Sequence, residues 1–249
     1  MSRTGATGVV TALHEVPNGE PWTKEAIADR KALIETSGLH WSVVESVPVH
    51  QDIKRGGPLR DQCIAAYQGS LRNLAANGID VVLYNFMPIL DWTRTDPRYV
   101  LANGAWALRF DQDAFAAFDL FILARAGAAA EYDQAGLPAP GRTRTTCPRR
   151  VGNYSYATSL PRCRARRRST LEFLREMLAT YADIDADALR VNLGHFLRAV
   201  VPVAEEVGVP LSIHPSEPPR PLLGLPRVVS TAGGRPVVAR CSAKVRRTG

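Results

Sequence analysis

The sequence predicts an α/β fold of parallel strands covered by helices, a (β/α) barrel in preference to an open doubly wound sheet. Three observations carry this. Short, continuously apolar runs alternate with stretches of helical spacing. No GxGxxG or Walker glycine pattern follows the first run. The polar residues of chemical interest fall just past the ends of the runs, where barrels gather their chemistry. At 249 residues the chain has the length of one such domain.

GVVTAL (8–13) is rich in β-branched residues and reads as the first strand. Thr23 caps a helix with Ala26, Ile27, Leu33 and Ile34 as its apolar positions, and Gly38 stops it. WSVVESV (41–47) is the second strand. Ile64, Tyr67, Leu71 and Leu74 keep helical spacing, and Asn77-Gly78 ends that helix. VVLYNFM (81–87) is the third strand, and FDQDAFAAFDLFIL (110–123) reads as helix. Residues 134–169 follow neither period. Regularity returns at TLEFLREMLATYAD. A helix near 185–207 then carries Leu189, Leu193, Phe196, Leu197, Val200 and Val201, with Pro202 expected to kink or break it. VPLSIHP (209–215) is the fourth strand. GLPRVVST leads into residues 232–249, which have no clear pattern.

An apolar content of 45% with 22% charged residues fits a globular domain. No apolar run approaches the ~20 residues of a membrane span, and no signal-peptide core is visible, so a cytoplasmic protein is expected. Cys63, Cys147, Cys163 and Cys241 lack CxxC spacing and read as free thiols. The net charge of +7 is unevenly distributed. Residues 134–169 hold nine arginines without Asp, Glu, Lys or His; residues 232–249 hold four arginines and Lys244 without an acid. These stretches carry fourteen positive charges, so the remainder is net −7. A nucleic-acid binder usually carries its basic residues on a helix face or stripe, interleaved with other polar groups; here the basic stretches and the acidic remainder do not mix.

His214, at a strand end and followed by prolines, is the first candidate for a divalent-metal ligand, although spacing supplies no complete ligand set. Glu45 and His50 flank the end of the second strand, as acid, base or substrate contacts, or as a core ion-pair partner and a loop residue. Asn85 follows the third strand. In DWTRT (91–95), Trp92 and Arg94 suit a carboxylate-bearing substrate, because guanidinium grips carboxylate bidentately; a packed Trp with a solvated Arg is the alternative. His14 follows the first strand without a visible partner.

Longer stretches are more specific. GATGVVTALHEVPNGEPW, WSVVESVPVHQDIK, LYNFMPILDWTRTD, RFDQDAFAAFD and PVAEEVGVPLSIHPSEPPRPLLGLPRVVST together closely resemble the mannonate dehydratase family of hexuronate (glucuronate) catabolism, over about residues 3–133 and 170–231. The resemblance implies a TIM-type barrel of the xylose-isomerase-like group, of which this chain looks like roughly strands two to five of eight. It implies a hydro-lyase that removes water from D-mannonate to give 2-dehydro-3-deoxy-D-gluconate, with Fe2+ or Mn2+ stabilising charge as the proton beside the carboxylate leaves. It also implies His214 as metal ligand, with HPSEPP here for the family's HPDDPP, and His14, Glu45, His50, Asn85, Trp92 and Arg94 as pocket residues. The catalytic acid and base stay unassigned. The implied partner is the small-molecule substrate, with neither nucleic acid nor membrane. A family-like homo-oligomer is not counted on. The family continues past VVST through a metal-binding Cys in CTGS, a later His and a later Asp; Cys241, in ARCSAK, lacks the TGS.

The arginine-rich stretches are expected to be out-of-frame translation within a single partial barrel spanning 1–249. The family has an acidic helical segment at 134–169, ending in a peptide like LPGAEEG. If that peptide were encoded CTGCCGGGCGCGGAGGAGG, reading one base later would give Cys-Arg-Ala-Arg-Arg-Arg, as at Cys163 to Arg168. The chain by itself is then expected to be inactive and poorly stable, with open sheet edges. Metal-dependent turnover of a neutral ketose but not an aldonate would instead indicate an isomerase or epimerase of the same barrel group. Salt-dependent nucleic-acid binding lost on deleting 134–169 would indicate a non-catalytic binder. Translating the gene and its flanks in three frames is expected to recover a downstream CTGS; the same arginine run in close relatives would refute the frameshift.

Overall fold

A computed structural model of the chain describes residues 5–79, 81–132 and 170–230. Both arginine-rich stretches, 134–169 and 232–249, lie outside the described residues. In chain order the elements are β1 (Gly8–Thr11), α1 (Lys24–Glu35), β2 (His40–Glu45), α2 (Gln51–Arg55), α3 (Arg60–Ala76), β3 (Val82–Tyr84), β4 (Asp96–Val100), β5 (Trp106–Arg109), α4 (Gln112–Ala117), α5 (Thr170–Ala179), α6 (Ala186–Glu206) and β6 (Leu211–Ile213). They fall into two compact units. One runs up to Met87 and includes Ala186–Ser216 and the residues from Val228; the other comprises Pro88–Asp185 and Glu217–Arg227.

The first unit is a four-stranded, all-parallel sheet in the order β1-β2-β3-β6. Parallel strands require crossover connections, which the helices supply. Thr23 caps α1, its Oγ1 accepting from the Ala26 N–H at 3.2 Å. Ile27 and Ile34, seven residues apart, share the buried face. Leu33, expected inside, is 65% exposed. It lies six residues beyond Ile27, a rotation of about 240° round the helix. In α3, Ile64, Tyr67, Leu71 and Leu74 are all buried as their spacing predicts, and Gly78, at φ +70°, ends the helix.

α6 supplies most of the cover. Its Phe196 ring meets Tyr67 edge-on at 5.1 Å, Tyr84 at 5.6 Å and Phe86 at 6.0 Å. Side chains latch the same helix to its neighbours: Asn192 Nδ2 donates to the Lys54 carbonyl at 2.9 Å, and Gln68 Nε2 to the Ala199 carbonyl at 2.7 Å. The helix passes through Pro202 without a break. Pro202 removes one amide donor, but it and Arg198, whose carbonyl that amide would serve, are both exposed. Water can therefore take the amide's place. The strands are shorter than the sequence suggests. β3 ends at Tyr84, and Asn85, Phe86 and Met87 continue as buried chain outside the ladder.

The second unit holds a separate antiparallel hairpin, β4 with β5. The sequence carried its signal, Asn103-Gly104 between the strands, with Gly104 at φ +80°. Pro97 and the absence of apolar alternation obscured it. Cation–π contacts tie the hairpin across its strands, Arg98 over Trp106 at 5.5 Å and Arg109 over Tyr99 at 4.7 Å. The expected helix over 110–123 is helical in two registers. Asp111 caps α4, accepting from Ala114 N at 3.0 Å, and Phe118–Leu123 forms a π-helical turn. That turn places Asp119 fully inside, bound through both carboxylate oxygens by Arg125 at 3.1 and 2.7 Å. The core of this unit joins Phe115, Phe118 and Leu123 to Leu174 and Tyr181 of the later chain. No helix among the described residues is long and apolar enough to cross a membrane.

Phe196→Ala is expected to cost about 3–5 kcal/mol of stability, since it empties the aromatic cluster. Leu33→Ala is expected to stay within about 0.5 kcal/mol. Urea unfolding of the two variants tests whether α6 packing, and not apolar content alone, holds the first unit.

Candidate functional site

The register of the parallel ladder determines which side chains can meet. Glu45 on β2 pairs with Leu83 on β3, and Leu83 pairs with Ser212 on β6. His214 lies two residues beyond Ser212, so the period of two puts it on the face that Glu45 occupies. Its backbone N–H continues the ladder by one bond, donating to the Tyr84 carbonyl at 3.0 Å. The outcome is a half-buried imidazole and carboxylate with Nε2 and Oε1 3.9 Å apart. The Nδ1 of His214 lies 2.8 Å from the Pro215 carbonyl. A carbonyl only accepts, so Nδ1 carries a proton, and Nε2 is the ring nitrogen on the side of Glu45.

Asn85 follows β3 and is almost wholly buried. Its Nδ2 donates to Ser46 Oγ at 3.3 Å, while its Oδ1 is buried without a hydrogen-bond partner. A buried amide oxygen left unpaired is costly. His14 lies in an exposed turn three residues past β1 and shares no hydrogen bond or ion pair with Glu45 or His214.

His50 is the N-cap of α2. Its Nδ1 accepts from the Asp52 N–H at 3.1 Å, which satisfies one of the helix's open amides. Gly19, at φ +94°, passes so close that a Cβ there would lie 3.1 Å from the His50 ring and 3.3 Å from Cys63 Sγ. Burial holds the His50 imidazole below its usual pKa, against the opposing pull of the Asp52 carboxylate. Asp52, itself buried, receives Arg55 and the Leu59 N–H, the latter at 3.0 Å. Lys54 is buried as well, and its Nζ donates to the Met87 carbonyl at 2.8 Å.

In the second unit Trp92 and Arg94 lie on the segment between Leu90 and Thr95. Arg94 is engaged by the carboxylate of Glu217, and the Thr93 N–H donates to the Glu217 carbonyl at 3.4 Å. Arg227, from the GLPRVVST stretch, is buried and donates from Nη2 to the Leu90 carbonyl at 2.5 Å. The sequence marks Glu217 only as part of HPSEPP, and it does not mark Asp52, Lys54 or Arg227. Lysine and arginine are normally surface residues, and nothing in QDIKR marks the exception. For Arg227 a signal existed, because Leu225, Pro226, Val228 and Val229 surround it with apolar neighbours.

Among the described residues no three His, Cys, Asp or Glu side chains gather as a metal cage. Glu45 and His214 together are a carboxylate and an imidazole at the ends of the two strands that flank β3. The carboxyl ends of a parallel sheet are where α/β proteins gather their small-molecule sites. Comparison with known proteins makes the family specific. The model of the D-mannonate dehydratase (UxuA) family matches residues 1–239. The chain is 61% identical over 236 residues to the mannonate dehydratase of Chromohalobacter salexigens, covering 93% of this chain and 59% of that one. It is 54% identical over 235 residues to the enzyme of the same name from Marinomonas sp., covering 92% and 59%. The crystal structure of mannonate dehydratase from Streptococcus suis serotype 2 superimposes with a TM-score of 0.67 at 32% identity, covering 94% of this chain and 54% of that chain. The chain belongs to the D-mannonate dehydratase family and spans a little over half the length of these relatives.

The lowered pKa of His50 has a stability consequence with a definite sign. A histidine that ionises less readily folded than unfolded contributes stability present above about pH 6.5 and lost as the pH falls below it. Asp52, held low by Arg55 and the Leu59 N–H in spite of its burial, acts in the same direction in a window below the ordinary carboxylate range. Thermal unfolding between pH 7.5 and 5 is expected to show a falling midpoint. His50→Asn, which retains a capping side chain without the titration, is expected to flatten that fall.

Proposed function

We propose that this chain serves the dehydration of D-mannonate to 2-dehydro-3-deoxy-D-gluconate in hexuronate catabolism, in the cytoplasm, as a metal-dependent hydro-lyase. We read its parallel sheet as an arc of a TIM-type barrel of the xylose-isomerase-like group. Support comes from the order β1-β2-β3-β6, in which consecutive parallel strands lie side by side once the second unit's hairpin is set apart. The observation that carries the functional reading is His214, whose Nδ1 is tied to the Pro215 carbonyl and whose Nε2 is turned towards Glu45, in a chain of this family.

These donors suit the metal the family implies. An imidazole nitrogen and a carboxylate oxygen match Fe2+ or Mn2+, and the unsatisfied Oδ1 of Asn85 is a further hard oxygen on a neighbouring strand end. His214 and Glu45 would hold the ion, with the Pro215 carbonyl orienting the imidazole. When bound, the ion supplies positive charge for the electron pair left beside the carboxylate as the proton departs.

The chain's own groups would bind and orient the substrate. Arg94, as a planar fork, suits the substrate carboxylate, with Glu217 holding it ready. Trp92, two residues before Arg94, is a further pocket residue in this reading. His50 is neutral at pH 7 and its Nδ1 is committed to the α2 cap, so it is suited to hydrogen bonding and not to carrying charge. His14, exposed past β1, is a substrate contact in this reading.

The test is purified chain supplied with Fe2+ or Mn2+ and D-mannonate, following the 2-keto-3-deoxy product. His214→Ala is expected to lower turnover and metal affinity by at least about a hundredfold, with Glu45→Gln lowering metal affinity less. Metal binding unaffected by His214→Ala, or turnover of a neutral ketose with none of the aldonate, would refute the reading.

A further inference from the structure

Arg227 is the buried cation that the proposed chemistry does not use. Its side chain makes one hydrogen bond, from Nη2 to the Leu90 carbonyl, and its Nε and Nη1 are buried without a partner. The next residue along from that carbonyl is Asp91, whose Oδ1 is also buried without a hydrogen bond. The two do not bond directly, yet the Asp91 charge favours protonated Arg227, whose pKa burial lowers to about 10. Arg227 therefore keeps its charge at neutral pH. It grips the start of the 90–95 segment by its hydrogen bond to the Leu90 carbonyl.

The base from which Arg227 reaches is firm. Leu222 and Leu225 close a tight turn by mutual backbone hydrogen bonds of 3.2 and 2.8 Å. Leu222, Leu223 and Leu225 are buried in the same cluster as Ile89 and Leu90. Further along, Thr93 and Arg94 are joined to Glu217, at the other end of the same returning segment. The 90–95 segment is thus hung between two posts, Arg227 and Glu217. Only the Glu217 post touches Arg94.

We propose that Arg227 is a positioning residue: by holding the Leu90 carbonyl from its buried place, it sets the 90–95 segment, and with it Arg94 and Trp92, for a substrate bearing a carboxylate. The proposal rests on the dehydratase reading for the identity of that substrate. It does not rest on that reading for the effect on the segment.

The experiment compares the full chain with Arg227→Met and Arg227→Lys, by backbone hydrogen exchange over residues 90–95 and by affinity for D-mannonate and for neutral D-mannitol. In Arg227→Met, exchange over 90–95 is expected to quicken about tenfold and D-mannonate affinity to fall about tenfold. D-mannitol, which offers no carboxylate, is bound no worse. Arg227→Lys keeps a donor and a positive charge and is expected to restore most of both losses. Should Arg227→Met fail to fold, Arg227→Gln, uncharged when buried, carries the same comparison. Exchange and affinity equal to the unaltered chain in a folded variant would overturn the proposal. If the unaltered chain binds no D-mannonate while the exchange effect persists, the dehydratase reading falls and the positioning role stands.

Discussion

The register of β3 between β2 and β6 is the constraint on which the first unit depends. Val82 pairs with Val44 on one side and Leu211 on the other, and Leu83 with Glu45 and Ser212. Because side chains alternate strictly, a slip of one residue in either pairing would turn Glu45 and His214 to opposite faces. The ladder is short, so it cannot hold its register by hydrogen bonds alone. The buried cluster of Phe196 with Tyr67, Tyr84 and Phe86 holds β3 from the helix side. A bulky aromatic core thus protects a polar geometry at the strand ends, which links packing directly to chemistry.

Polar burial follows a common logic in both units. Asp52, Lys54 and Asp119 are each held by an opposite charge or by a fixed backbone group. Asp52 takes Arg55 and an amide; Lys54 takes the Met87 carbonyl; Asp119 takes Arg125 and the Tyr132 hydroxyl. Removing one partner from such a group leaves an uncompensated charge inside, which costs more than the pair contributes. Arg227 departs from the pattern by leaving two donors unpaired, and its departure coincides with the segment that carries Arg94.

Much of the fold was legible from letters. The α1 cap, the four buried positions of α3, the apolar stripe of α6 and the cores of all four parallel strands follow from spacing, because a local period states which face a residue occupies. Leu33 and Pro202 show where local reading falls short. Leu33 is apolar but on the wrong turn, and Pro202 is tolerated because the carbonyl it strands lies on an exposed face. The hairpin was missed because its apolar residues are exposed and so follow no core-facing alternation.

The family and the identity of the strand-end residues were determined by the sequence itself, since long ordered motifs such as LSIHPSEPP and LYNFMPILDWTRTD survive without coordinates. Tertiary structure alone decided which of those residues meet. Glu45 and His214 are separated by most of the chain, and only the ladder through β3 brings them within 3.9 Å. Likewise only folding reveals that Arg227 is buried against the Leu90 carbonyl while Arg94 is held by Glu217. The reason is physical: periodicity reports the face a side chain takes on its own element, whereas long-range contact depends on strand register and packing, which no single segment encodes.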